Sequence, residues 1–229
     1  MPDRPRILGL IPARGGSQGL PGKHLADLGG RPVLAWTAAA ALESQLLDRT
    51  VLSTEDEEIA ALGRQVGLDV PFTRPPGLAG DDVPSADVVR HAVGVLGEAW
   101  DYVVLLQPTS PLRTSEDIDA AIRLCHESSA PGCVSVSPVR QHPEWMFRLA
   151  PDRTLEPLLE HGPPADRRQD LPAVFALNGA VYVARGEHLE CDDPFAGAGS
   201  VAYVMPPERS VDLDTEQDLF LLRTLVETR

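Results

Sequence analysis

Lysine is nearly absent from this chain: 19 of its 20 basic residues are arginine, and the single lysine is Lys23. Aromatic residues are also few, at 5%, so any large core must be aliphatic and rich in alanine. The three cysteines, Cys125, Cys133 and Cys191, are odd in number and form no CxxC pair. That pattern excludes a disulfide framework or a zinc ribbon and points to a reducing, cytoplasmic setting. The six histidines (His24, His91, His126, His142, His161 and His188) show no HxH or HxxxH spacing, so a histidine-based metal centre is not expected. No apolar run reaches the length of a membrane span. The apolar stretch in the opening MPDRPRILGLIPARGG is too short for a signal peptide, and Ile7–Ile11 reads as a first strand. The formal charge of −14 repels phosphate backbones, which excludes nucleic acid or an anionic membrane as the main partner. A small polyanion could be held only by local cations and metal ions.

What is present alternates. The 229 residues suffice for one substantial core, and the whole chain, 1–229, reads as a single domain. After Ile7–Ile11 comes a glycine-rich loop, then a helix with Leu34, Ala38, Ala41, Leu42 and Leu46 on one face. Arg49–Ser53 reads as a strand. Thr54 and Glu57 have the spacing of a capping box for a helix striped by Ile59, Leu62 and Val66. Val70–Thr73 reads as a short strand, Ser85–Leu96 as a helix, and Tyr102–Leu106 as a strand covered on both faces. Thr114 and Asp117 cap a helix carrying Ile118, Ala121, Ile122 and Cys125, and Val134–Val136 is the next strand. From about Pro138 to Pro172, repeated prolines break any long element, an excursion from the sheet. Ala180–Val183 and Val201–Val204 resume the strands, and a helix with Leu219, Leu222 and Val226 closes the chain. Strand–helix alternation of this kind predicts an α/β fold, a mainly parallel sheet with helices on both faces.

The segment IPARGGSQGLPGK, Ile11 to Lys23, is the most informative. Its glycines let backbone N–H groups approach a ligand, and Arg14 and Lys23 fix a cation at each end, as a phosphate cradle needs. Ser17 and His24 depart from the Walker A pattern. The one lysine of an arginine-using chain sits here, where a compact ammonium suits clustered phosphate oxygens. Near the other end, Asp212 and Asp214 are two carboxylates at i and i+2. In an extended segment they face the same side and can share one hard cation. Asp214 could instead cap the last helix, but Thr215 with Asp218 can supply that cap.

IPARGGSQGLPGK resembles the signature loop of the acylneuraminate cytidylyltransferases, and the resemblance continues in order through VLSTEDEEIA, FTRPPGLAGDDVPS, LLQPTSPLR, RRQDLP, LNGAVYV and VDLDTEQDL. It implies a Rossmann-like fold and transfer of CMP from CTP to a nonulosonic, sialic-acid-like sugar with release of pyrophosphate. It implies nucleotide contacts from Ala13, Arg14, Gly15, Gly16, Lys23, Arg74 and Ser85, the last two at the cytosine. Gln107, Arg168, Asn178 and Tyr182 match the sugar side, with Arg168 suited to a carboxylate. Asp212 and Asp214 match the Mg²⁺ ligands, and Arg14, Lys23 and Asp212 are the expected catalytic residues. The general base stays open between Asp212 and metal-bound hydroxide. Arg14, Ser53 and Gln107 all follow predicted strands, where ligands collect in open parallel sheets.

The resemblance also implies that segment 139–176 is an inserted dimerisation element reaching a neighbour's sugar site. Its run Trp145, Met146, Phe147, Leu155, Leu158 and Leu159 is more apolar surface than a small excursion can bury. A homodimer with shared active sites is therefore expected, with Arg168 acting on the neighbouring chain. Gln18 stands where much of the family has a second lysine, and Trp145 where sialate-specific members have one, which turns the expectation away from N-acetylneuraminate as the preferred sugar. The 3-deoxy-manno-octulosonate enzymes share PGK but lack QPTSPLR and DLDT. Another nucleotide or acceptor, or a catalytically silent binding subunit, are the competing readings.

Overall fold

The computed structural model describes residues 4–16, 19–159 and 167–228. Ser17, Gln18, His161, Pro163 and Pro164 lie outside the described residues. In chain order the strands are β1 (Ile7–Pro12), β2 (Asp27–Leu28), β3 (Arg31–Pro32), β4 (Arg49–Ser53), β5 (Tyr102–Leu105), β6 (Gly132–Pro138), β7 (Phe147–Leu149), β8 (Leu155–Pro157), β9 (Phe175–Arg185) and β10 (Val201–Val204). The helices are α1 (Val33–Glu43), α2 (Glu57–Gln65), α3 (Ser85–Leu96), α4 (Ser115–Glu127) and α5 (Glu216–Glu227). Six strands form one sheet in the order β10-β6-β9-β5-β1-β4. None of the described helices is long and apolar enough to cross a membrane.

The apolar runs of β1 and β5 are buried because both sheet faces are covered. Ile7, Ile11, Leu52 and Val104 face a core shared with Leu34 and Ala38 of α1, Ile59 of α2 and Ile118 and Ile122 of α4. Leu8, Leu10, Val51, Val103 and Leu105 face the other way, against Val89 and Ala92 of α3. A third cluster packs Leu219 and Leu222 of α5 on Leu28, Val33, Leu112 and Leu213. Strand β1 is parallel to β4 and β5, and β10 is parallel to β6.

Strand β9 is the exception, antiparallel to both β5 and β6. The chain leaves the sheet at Pro138 and re-enters at Phe175, and these two residues are paired. A chain that returns at the end where it left must run backwards, whereas a parallel partner needs a crossover to the far end. The excursion holds the small hairpin β7–β8 and single 3₁₀ turns at Pro143–Trp145 and Arg168–Asp170. Buried His142 staples its base: Nδ1 accepts from the Glu144 amide at 3.2 Å, so Nε2 carries the proton and donates to the Pro172 carbonyl at 3.0 Å.

Local expectations fail at three places. Val70–Thr73 forms no strand; backbone pairing to the sheet is confined to its flanks, a bridge of Asp69 to Val51 and the Arg74 amide on the Thr54 carbonyl, while Val70 and Phe72 pack their side chains against the core. Two prolines follow at once and remove the donors a longer edge strand needs. Helix α2 is capped by Asp56, whose carboxylate accepts from the Ile59 amide, while the Thr54 hydroxyl accepts from the Asp56 amide. An acidic residue two positions nearer the helix outcompeted the threonine. Leu42 is exposed, and Leu46 lies beyond the end of α1.

At the start of α4 the Thr114–Asp117 capping box forms as its spacing predicts. The buried Asp117 carboxylate also accepts from Arg209 Nη2 at 2.7 Å, Arg209 Nε at 3.0 Å and the Tyr203 hydroxyl at 3.0 Å. Burial alone pushes this carboxyl's pKa up, but the Arg209 bonds and the Thr114 amide outweigh it and hold it below the ordinary value. A depressed carboxyl stabilises the fold above the ordinary Asp range, and that stability is lost as pH falls through its folded pKa. Asp117→Ala is expected to cost about 3 kcal/mol at pH 7, because it strands Arg209 and uncaps α4. Urea unfolding checks this, and the gap between variant and wild type should narrow as pH drops below 4.

Candidate active site

The carboxyl ends of β1 and β5 open together, and the loops that follow them help to wall a cavity of about 270 Å³. Its lining includes Arg14, Lys23, Arg74, Ser85, Gln107, Asp212 and Asp214, brought from four separate stretches of sequence. Ala13 is buried behind the wall; its amide binds the Ser53 carbonyl at 3.0 Å and fixes the exit of the loop from β1. Ser53 is itself fully buried. Gly15 and Gly16 continue the loop beside Arg14.

Each cation of the cavity is held by a carboxylate from elsewhere. Arg14 pairs with Asp81, and its Nη1 donates to the Ala79 carbonyl at 3.4 Å. Lys23 Nζ lies 2.9 Å from Asp214 and donates to the Leu213 carbonyl at 3.1 Å. Arg74, only 3% exposed, pairs with Glu55 at 2.7 Å and donates to the Ala13 carbonyl at 3.0 Å. Glu55 accepts on its other oxygen from the Gly15 amide at 2.8 Å. Because the loop passes close to the last motif, a Cβ on Gly19 would lie 2.4 Å from the Asp214 carbonyl oxygen, so no side chain fits there.

The segment 211–214 alternates buried and exposed, with Val211 and Leu213 inward and both aspartates on the open side. The Leu213 amide binds the Thr109 carbonyl at 2.7 Å, which ties it to the QPTSPLR turn. Asp212 reaches solvent through the cavity, yet the walls around it desolvate its carboxylate. Desolvation raises its pKa, with the Thr109 hydroxyl acting in opposition and Asp214 adding to the rise. Thr215 and Asp218 form the cap of α5, so neither aspartate is needed there. Among the described residues, no three His, Cys, Asp or Glu side chains gather to hold a metal. Two carboxylates on one face still form a hard-oxygen donor pair that fits Mg²⁺, which takes its remaining ligands from phosphates and water.

Arg113 of the same turn is fully buried and spans three elements. Its Nε donates to the Ala180 carbonyl at 2.7 Å, Nη1 to the Thr37 hydroxyl at 2.7 Å, and Nη2 to the Gln107 carbonyl. Burial lowers its pKa to about 9, with Asp117 and Asp212 as countercharges, so it remains cationic at neutral pH. Gln107 is thereby fixed at the end of β5. Gly179 adopts φ +72°, and a Cβ there would lie 2.9 Å from the Gln107 amide oxygen and 3.0 Å from the Ser110 hydroxyl. The glycine of LNGAVYV therefore answers both the backbone and the close packing.

The remaining sugar-side residues are placed differently. Asn178 is buried beside the cavity in a network of its own, donating to the Ser210 hydroxyl at 2.9 Å and accepting from Ser135 at 2.6 Å. Tyr182 is half-buried and packs edge-on against Phe195. Burial raises its pKa, as does Asp212. Arg168 lies on the excursion, where it donates to the Val139 carbonyl at 2.6 Å and the Arg140 carbonyl at 3.1 Å. Those two residues line a second cavity of about 370 Å³, and Asp212 lines both cavities.

Sequence reasoning passed over Glu55, Thr109, Arg113 and His24. His24 is buried in the cavity wall, and its Nδ1 has no hydrogen-bond partner among the described residues. Burial first, then Lys23, Arg14 and Arg74, lower its pKa to about 4, so it is neutral at physiological pH. Its position directly after Lys23 was the only available signal.

The sequence profile of the family described as Cytidylyltransferase matches residues 8–148, well over half the chain. CMP-N,N'-diacetyllegionaminic acid synthase of Legionella pneumophila is 34% identical over 97% of both chains. N-acylneuraminate cytidylyltransferase of Escherichia coli O18:K1:H7 is 32% identical over 99% of this chain, which spans only 53% of that longer protein. Pseudaminic acid cytidylyltransferase of Campylobacter jejuni is 30% identical over 94% of both. In fold, a CMP:2-keto-3-deoxy-manno-octonic acid synthetase solved with CTP superposes with a TM-score of 0.73 at 17% identity, covering 97% of this chain and 99% of that one. The chain belongs to the cytidylyltransferase family.

Proposed function

We propose that this protein transfers CMP from CTP to the anomeric hydroxyl of a nonulosonic, 2-keto-3-deoxy sugar acid and releases pyrophosphate. The observation that carries the reading is the convergence of Arg14, Lys23, Arg74, Ser85, Gln107, Asp212 and Asp214 on one cavity. Arg74 and Ser85 hold the cytosine, with guanidinium donors directed at its O2 and N3 acceptors. Arg14, Lys23 and the glycine-loop amides balance the triphosphate, and its oxygens replace Asp81 and Asp214 as partners of the two cations. The acceptor hydroxyl attacks the α-phosphorus while the bond to the bridging oxygen breaks and pyrophosphate leaves. Asp212, facing the cavity, is the carboxylate of this chain able to take the hydroxyl proton. Asp212 and Asp214 would hold Mg²⁺, which when bound neutralises charge on the α-phosphate and the leaving group.

The second cavity, lined by Arg140, Gln141, Met146 and Ser210, suits the acceptor because Asp212 lines it as well as the first. Segment 139–176 makes a homodimer interface that completes this acceptor site. Its support is the exposure of Met146, Phe147, Leu149, Leu155 and Phe175 within the segment and of Leu177 just after it. Arg168 of each chain serves the acceptor carboxylate of its neighbour.

Purified protein with CTP, Mg²⁺ and a panel of nonulosonic acids should release pyrophosphate, with N-acetylneuraminate no better than legionaminate or pseudaminate. A folded protein silent across the panel would overturn the reading. Asp212→Ala and Asp214→Ala should each keep the fold and lower turnover by roughly a hundredfold or more; near-normal rates in both would remove them from the reaction. Light scattering should give a dimer, and mixing inactive Arg168→Ala with inactive Asp212→Ala under subunit exchange should restore one working site per heterodimer. A monomer, or no recovery on exchange, argues for Arg168 acting within its own chain.

A further inference from the structure

Arg74 has five N–H donors, and three hydrogen bonds fix its plane. Nε and Nη2 both reach one oxygen of Glu55, at 3.3 and 2.7 Å, and Nη2 also binds the Ala13 carbonyl at 3.0 Å. Nη1 makes no hydrogen bond among the described residues, although Arg74 is 3% exposed and lines the cavity. The other Glu55 oxygen holds the Gly15 amide, so one carboxylate sets both the guanidinium plane and the start of the glycine loop. Without Glu55 the guanidinium would be a buried cation free to turn about its terminal bonds.

From this we infer that Glu55 is a positioning residue that sets base selection: by clamping Nε and Nη2 it leaves Nη1 as the edge presented to the base. The inference rests on the cytidylyltransferase reading above. Cytosine offers acceptors at both O2 and N3, and an N–H held on Nη1 can donate to N3. Uracil carries a proton on N3 and meets the same donor with one of its own. A guanidinium held in one plane imposes that difference, whereas one free to rotate can use O2 alone and accepts either base. Glu55 touches neither base nor reacting atoms in this account; it acts through Arg74.

Calorimetric titration of CTP and UTP, which needs no acceptor sugar, separates the outcomes. Wild type should bind CTP more tightly than UTP; absence of that preference would overturn the functional reading and this inference with it. Glu55→Gln puts an amide N–H₂ against either Arg74 or the Gly15 amide, and should cut the CTP-over-UTP preference about tenfold. A wild type selective for CTP alongside an equally selective folded Glu55→Gln would overturn the positioning role alone. Arg74→Gln and the double variant Glu55→Gln/Arg74→Gln leave no unpaired buried cation, so they test the point even where the single Glu55 variant fails to fold. If Glu55 works through Arg74, the two have the same base preference. A further loss in the double variant would show that Glu55 acts independently and would sink the proposal.

Discussion

Three cations stand around one cavity in a chain of net charge −14, and each is neutralised by a carboxylate from a different segment. Arg14 with Asp81 joins the loop after β1 to the segment before α3. Lys23 with Asp214 joins the end of that loop to the segment before α5. Arg74 with Glu55 joins the strand-like approach to α3 with the end of β4. Such pairs gain little where water screens them, but Arg74 is deeply buried and cannot be left without its partner. The cavity's shape depends on these contacts, and so does its readiness for a polyanion. In the proposed reaction, phosphate oxygens would take over what Asp81 and Asp214 supply, while the Glu55 pair would stay behind to hold the frame.

A second layer of buried charge keeps the sheet end in register beneath that frame. Arg113 ties the QPTSPLR turn to α1 and β9, and Asp117 gathers Thr114, Tyr203 and Arg209 at the start of α4. Both are buried; every nitrogen of Arg113 donates a hydrogen bond and both oxygens of Asp117 accept, the condition under which such groups order a core instead of weakening it. Gln107 and Thr109 lie on the stretch these contacts immobilise. Thr109 then fixes the height of Asp212 through its backbone bond to Leu213. The position of the metal-suited pair is thus inherited from packing two layers away.

The reversal of β9 gives the site its remaining wall. Because the excursion leaves and re-enters at the same end, the first half of β9 lies beside the carboxyl ends of β5 and β6. That puts Gly179 against Gln107 and Ser110, and carries the exposed apolar residues of the excursion close to the second cavity. A parallel strand at this position would have brought its other end to the ligand.

Much of this was legible in the residues alone. The apolar runs of β1 and β5, the capping boxes at Thr114 and Thr215, and the helix Ser85–Leu96 are local features, set by side-chain periodicity and by bonds spanning three residues. The glycine loop with the lone lysine, and the i, i+2 spacing of Asp212 and Asp214, are likewise chemistry contained in short segments. What sequence could not decide is what joins segments far apart. Glu55 is one acidic residue in a run of four, and nothing local distinguishes the one that meets Arg74 from the one that caps α2. His24 reads as a scattered histidine until burial and three neighbouring cations make it neutral. Asn178 lies next to the glycine at the cavity but turns into the core, because strand neighbours point to opposite faces and the bulge between Val134 and Val136 sets which. The direction of β9 also depended on where the chain re-entered the sheet, a property of the closed fold and of no single segment.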